Sequence, residues 1–149
     1  MNITILPAQP ADYDRILSLL QHVRLLTDDI LVQGSQYWIA QTEGGDMAGC
    51  AGIELGTDAV LFRSMAVYET YRGKGLALQL IQHAINESQS AGYHDMYCFS
   101  TRAADYFQRI GFNSVPVTEL AQALPTAPQV VRFTAIGKLA GERAWHKIL

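Results

Sequence analysis

Three observations predict a mixed α/β (α+β) fold forming one domain over residues 1–149. Apolar segments with the two-residue period of strands alternate with segments of helical period along the whole chain. An apolar strand at residues 61–67 runs into the glycine-rich turn Tyr71-Arg72-Gly73-Lys74-Gly75, which opens a helix. A length of 149 residues, 49% of them hydrophobic, supplies one real core and too little chain for a second ordinary domain.

Taken in order, Ile3-Thr4-Ile5-Leu6 is the first strand. Residues 11–26 read as a helix, because Ile16, Leu19, Leu20 and Val23 recur on one face and Asp12 stands near the positive end of its dipole. Residues 27–34 form a loop or a short second helix. Strands at 37–42 and 47–55 flank the turn Glu43-Gly44-Gly45-Asp46. A second hairpin turns at Thr57-Asp58 and leads into strand 61–67. Beyond the glycine turn, Leu76, Leu80, Ile81, Ala84 and Ile85 make the apolar stripe of a long helix. A strand at 96–100 and a short helix at 103–110 follow, the latter closed by Gly111-Phe112. The stretch 115–137 carries Pro116, Pro125 and Pro128, and a final strand at 143–148 closes the sheet. No repeat, low-complexity run or linker interrupts this order.

Composition removes several function classes. A formal net charge of −3 gives no general attraction to nucleic acid or anionic membrane, so any positive charge that matters is local. No apolar run approaches the ~18 residues that span a bilayer, and residues 1–4 lack a signal-peptide pattern, so a soluble, cytoplasmic protein is expected. Cys50 and Cys98 fall inside strands and read as buried thiols of a reducing compartment. His22, His83, His94 and His146 are scattered without ligand spacing, so no metal site is expected. Exposed strand edges at residues 37–40 or in the C-terminal strand are candidate surfaces for a homodimer.

The strand-to-helix junction carries the chemistry. At a helix start the first backbone N–H groups have no intrahelical partner and converge on an anion that the helix dipole favours. Gly73 and Gly75 allow close approach and positive φ, while Arg72 and Lys74 add positive charge. A P-loop needs four residues between Gly and Gly-Lys-Ser/Thr, and a dinucleotide fingerprint needs a small third residue where this chain has Leu78; neither is present. The hairpin at Thr57-Asp58 pairs Glu54 with Leu61 and Gly52 with Arg63, which puts Glu54 and Arg63 on one face as a diagonal pair. Two readings of that pair stay open: a surface ion pair, or a clamp in which Arg63 takes a substrate carboxylate bidentately.

Arg72-x-x-Gly75-x-Ala77, after a strand ending Met65-Ala66-Val67, resembles the acyl-coenzyme A signature Arg/Gln-x-x-Gly-x-Gly/Ala of the GNAT N-acetyltransferase superfamily. The strand at 96–100, the helix at 103–110 and the Gly111-Phe112 pair agree with it. The resemblance implies a mixed, mostly antiparallel sheet, splayed between two central strands and flanked by helices. It also implies acetyl-CoA as cosubstrate and direct acyl transfer to an amine. The pantetheine arm would lie along Met65, Ala66 and Val67, splayed from the strand that contains Cys98. The Met65 N–H would polarise the thioester carbonyl, Val67 would hydrogen-bond the arm, and the pyrophosphate would rest on Arg72, Gly73, Lys74, Gly75, Leu76 and Ala77.

The attacking amine must lose a proton to a base or a water relay, and Glu54 is the candidate base, although many relatives carry the glutamate on the next strand, where this chain has Leu61. The family's usual acid is a tyrosine four residues before the glycine of the Gly-Phe pair. This chain has Phe107 there and Tyr106 one place earlier; adjacent helical positions point about 100° apart, so Tyr106 does not simply replace that phenol, and it is either the candidate acid or a packed aromatic. Glu54, Arg63, Ser100-Thr101-Arg102 and the two aromatics before Gln108 resemble the amino-acid acetyltransferase branch, which includes the acetyltransferase domain of N-acetylglutamate synthase and small enzymes associated with arsenic resistance. That branch implies a small amine substrate whose carboxylate Arg63 and Arg102 would hold. The alternatives are a cationic amine or protein N-terminus as acceptor, and a non-catalytic acyl-CoA-binding module.

Overall fold

Strands β1 (Ile3–Pro7), β2 (Ser35–Thr42), β3 (Met47–Leu55), β4 (Ala59–Val67), β5 (Asp95–Phe99), β6 (Asn113–Val115) and β7 (Ala144–Ile148) hydrogen-bond in the order β1-β2-β3-β4-β5-β7-β6. This is a computed structural model, and it describes residues 2–149; Met1, where the predicted domain begins, lies outside them. Among the described residues five α-helices accompany the sheet: α1 (Tyr13–His22), α2 (Leu76–Ser90), α3 (Ala104–Arg109), α4 (Val117–Ala123) and α5 (Pro128–Ala135). β4 and β5 run parallel, while β1–β2, β5–β7 and β6–β7 are antiparallel. The β4–β5 ladder ends at Phe62 and Cys98, although β4 runs on to Val67, so the sheet is mixed and splayed as predicted.

The chain forms two compact units. One holds the residues up to Ile53 together with Ser64–Glu87; the other holds Glu54–Arg63 and Ser88–Leu149. In the first, Ile16, Leu19 and Leu20 of α1 share one core cluster with Tyr37, Ile39, Met47, Cys50 and Ala66. In the second, Leu120 and Leu124 of the α4 segment and Val130 of α5 cover Ala59, Leu61, Tyr97 and Ala144. Both cysteines are buried and free.

Two expectations need correction. The first helix ends at His22 rather than near residue 26 because Arg24 takes φ +62. Leu25 N–H bonds to Leu20 C=O at 2.9 Å and Arg24 N–H to Gln21 C=O at 3.1 Å, a Schellman stop made without glycine. The stretch 115–137 holds α4 and α5: Pro116 is the N-cap of α4 and Pro128 opens α5, where a missing N–H costs nothing. The strand edges suggested for dimerisation are interior. Trp38 to Thr42 pair with β1, and β7 lies between β5 and β6, so the outer strands are β1 and β6.

Candidate functional site

β4 changes character midway. Its residues are buried through Arg63, while Ser64 and Met65 are half-buried, and Ser64 takes φ +62 inside the strand. Gly56 N–H bonds to Ala59 C=O at 2.9 Å across the predicted two-residue turn, but Tyr68 N–H bonds to Ala48 C=O at 2.9 Å, a pairing one residue out of that register. The extra residue is a β-bulge at Ser64. Bulges bend a strand, free backbone groups and re-aim side chains, which is why they recur next to functional sites. Met65, Ala66 and Val67 follow directly; Ala66 and Val67 are buried.

At the end of β4 the chain makes the predicted turn. Arg72, Gly73, Lys74 and Gly75 are exposed, and both glycines adopt φ +77. A Cβ built on either would meet nothing within 4 Å, so the space in front of the turn is open. Gln79 N–H makes the first bond of α2, to Gly75 C=O at 3.0 Å, so the amides of Leu76, Ala77 and Leu78 have no helical partner. Arg72 Nε donates to Val67 C=O at 3.0 Å and ties the turn back to β4. Lys74 Nζ lies 3.5 Å from Thr70 C=O. A groove of about 550 Å³ opens beside the turn, lined by Tyr71, Lys74, Leu76 and Gln79 with Glu43.

In the second unit the Glu54–Arg63 pair is real but buried, which removes the surface reading. Arg63 Nη1 donates to Glu54 Oε2 at 2.8 Å, with side-chain exposures of 3% and 0%. Glu54 Oε1 accepts Gln129 N–H at 3.0 Å, in the first turn of α5. Both carboxylate oxygens are therefore engaged by protein, a poor posture for taking a substrate proton directly. Arg102 lies exposed in the bend before α3. Phe107 is packed in the core against Phe112 and Trp145, whereas the Tyr106 hydroxyl is buried with no hydrogen-bond partner among the described residues. Burial raises the Tyr106 pKa and Arg109 opposes the shift, so the phenol keeps its proton at neutral pH.

Sequence reasoning missed the Ser64 bulge and the residues that contact it. Tyr37 Oη lies 3.2 Å from Ser64 Oγ, and Cys50 Sγ donates to Ser64 C=O at 3.4 Å. The sequence Leu61-Phe62-Arg63-Ser64-Met65 gives no sign of it, because the holding contacts come from other strands. Among the described residues no three metal-ligating side chains converge, and no helix is long and apolar enough to cross a membrane.

Residues 33–114, more than half of the chain, match the family model of the acetyltransferase (GNAT) domain. No curated protein matches the sequence. Among solved structures, N-acetylglutamate synthase from Neisseria gonorrhoeae, complexed with coenzyme A and N-acetyl-glutamate, superposes with a TM-score of 0.80 at 19% identity, over 100% of this chain and 35% of that one. This chain thus spans about a third of that synthase. A GNAT-family acetyltransferase from Staphylococcus aureus gives a TM-score of 0.76 at 14% identity over 99% of both chains. The ribosomal-protein-S18-alanine N-acetyltransferase from Escherichia coli gives 0.68 at 20% identity over 77% of this chain and 80% of that one.

Proposed function

Because the chain belongs to the GNAT acetyltransferase family, we propose that it moves an acetyl group from acetyl-CoA to the primary amine of a small molecule carrying a carboxylate, an amino acid or an amino-acid analogue. The observation that carries this reading is the open turn. Two glycines at φ +77 with free space before them, two exposed cations and the amides of Leu76, Ala77 and Leu78, which have no helical partner, offer the donors and positive charge that suit a pyrophosphate. Acetyl-CoA, once bound, supplies a thioester-activated acetyl group.

The chain's own residues have four tasks. Arg72, Gly73, Lys74, Gly75, Leu76 and Ala77 bind the pyrophosphate. Ala66 and Val67 line the arm beyond it. The Met65 N–H, delivered by the bulge, orients and polarises the acyl carbonyl, a contribution of about 3–4 kcal/mol when such a donor is preorganised. Tyr106, whose buried hydroxyl has no partner among the described residues, holds a proton for the departing thiolate, and the proton that the attacking nitrogen gives up passes to solvent water, which restores the phenol. Glu54 is better read as the anchor of Arg63 than as a base, since Arg63 and the Gln129 amide occupy its oxygens. The acceptor carboxylate falls to Arg63, which Glu54 holds in place, and to the exposed Arg102.

One observation favours a second reading. Glu54 already neutralises Arg63, so an amine without a carboxylate, including a cationic one or a protein N-terminus, meets no unmatched charge there. Release of free thiol from acetyl-CoA over a panel of amines decides between them. Turnover with acidic or neutral amino acids, lost with their amides, is expected. Turnover confined to polyamines or peptides supports the second reading, and coenzyme binding without turnover on any amine overturns both.

A further inference from the structure

Ser64 stands where a non-glycine residue needs external support. A β-strand residue at φ +62 lies outside the region L-residues prefer, and it persists only when its surroundings over-determine it. Two contacts do so. From β2, the Tyr37 ring reaches across β3 to bring Oη within 3.2 Å of Ser64 Oγ. It passes over Gly52, where a Cβ would sit 2.6 Å from the ring carbons Cε2 and Cζ, so only glycine lets the ring lie there. From β3, Cys50 donates its S–H to the Ser64 carbonyl at 3.4 Å. Burial pushes the Cys50 thiol up to about 12, which keeps that proton in place.

These contacts bear on the next amide. The peptide between Ser64 and Met65 is planar and trans, so its N–H points opposite to its C=O. Anchoring the Ser64 carbonyl on Cys50 therefore fixes the Met65 N–H in the direction away from Cys50. The Tyr37 hydroxyl restrains the same residue through its side chain. Both side chains are almost wholly buried, Tyr37 at 2% and Cys50 at 0% exposure, so neither is placed to touch a substrate.

We propose that Tyr37 and Cys50 are positioning residues, a brace that holds the strained Ser64 and thereby aims the Met65 amide at the acyl carbonyl. The proposal rests on the acetyl-transfer reading for its purpose, but its geometry is open to test without any ligand. Tyr37→Phe keeps the ring over Gly52 and removes only the hydroxyl. Cys50→Ala removes the S–H donor, and Cys50→Ser restores an O–H donor.

In the ligand-free full chain, the ¹⁵N and ¹H shifts of the Met65 amide are expected to move in Tyr37→Phe and Cys50→Ala and to return toward wild type in Cys50→Ser. In turnover, Tyr37→Phe and Cys50→Ala should lower kcat about tenfold while the Kd for coenzyme A stays within about twofold, since a misaimed donor is felt only by the reacting carbonyl. An unmoved Met65 resonance in both variants, or unchanged kcat, overturns the brace. If Tyr37→Phe does not fold, the Cys50 pair of variants decides. Should the wild type bind no coenzyme A, the functional reading fails, while the ligand-free shifts still decide whether Tyr37 and Cys50 hold the Met65 amide.

Discussion

The turn before α2 and the Glu54–Arg63 pair are both charged features of a largely apolar chain, and they treat their charges in opposite ways. At the turn, Arg72 and Lys74 are exposed, the glycines leave space, and the first amides of α2 have no helical acceptor. At the pair, two charges 2.8 Å apart are shut away, and the second carboxylate oxygen caps the first turn of α5. An open charge exchanges water for a ligand without disturbing the fold. A buried pair is already committed, so removing one member strands the other. The first arrangement suits binding; the second suits holding α5 and Arg63 in place.

The sharpest way to break this contrast is Gly75→Asp. A carboxylate at a helix N-terminus suits the dipole, and a Cβ there meets nothing within 4 Å, so the fold should survive apart from modest strain at φ +77. The same carboxylate would stand where the diphosphate belongs, and coenzyme A affinity should fall by about 100-fold or more, an effect calorimetry reads directly. A variant that binds normally would move the diphosphate elsewhere.

The pair should give the reverse pattern, with stability lost first. Arg63→Ala or Glu54→Ala is expected to cost about 3–5 kcal/mol in urea unfolding, while replacing both by apolar residues of similar volume should restore most of it. Glu54→Gln, the milder change, should lower turnover by the same factor at every pH if Glu54 is an anchor. A loss concentrated below the pKa of the acceptor amine would return Glu54 to the part of general base.

The smallest effect lies at the start of the chain's first helix. Asp12 accepts the Gln9 N–H at 2.8 Å and pairs with Arg15 at 2.7 Å. The Gln9 amide first, and then Arg15, hold its carboxyl below the ordinary value of 3.8. A depressed folded-state pKa gives stability that is present above that ordinary value and is lost as pH falls through the folded one. Asp12→Ala should therefore cost about 1 kcal/mol at pH 7 and progressively less on acidification below the ordinary carboxylate range. A cost that does not change with pH would mean that packing, not charge, sets it.

What is legible in the sequence follows the same division between local and distant causes. Gly92, Gly111 and Gly137 each sit at positive φ just past a helix, and such stops can be read from composition. Arg24 makes the same stop with a residue that gives no sign of it, so the periodicity alone makes the first helix too long. The turn at Thr57-Asp58 sets the register that brings Glu54 and Arg63 to one face, since hairpin geometry is local. Their burial is not legible, because the covering amide belongs to Gln129, 75 residues further on. The Ser64 bulge is hidden for a related reason. A serine in the left-handed region is held there by Tyr37 and Cys50 on neighbouring strands, not by anything in Arg63-Ser64-Met65 itself.

A calorimetric titration of coenzyme A into the full chain, run beside Gly75→Asp, tests the central claim most directly. One saturable site in the wild type, absent from the variant, is the predicted result. A wild type that folds and gives no heat would contradict the assignment of the turn and everything built upon it.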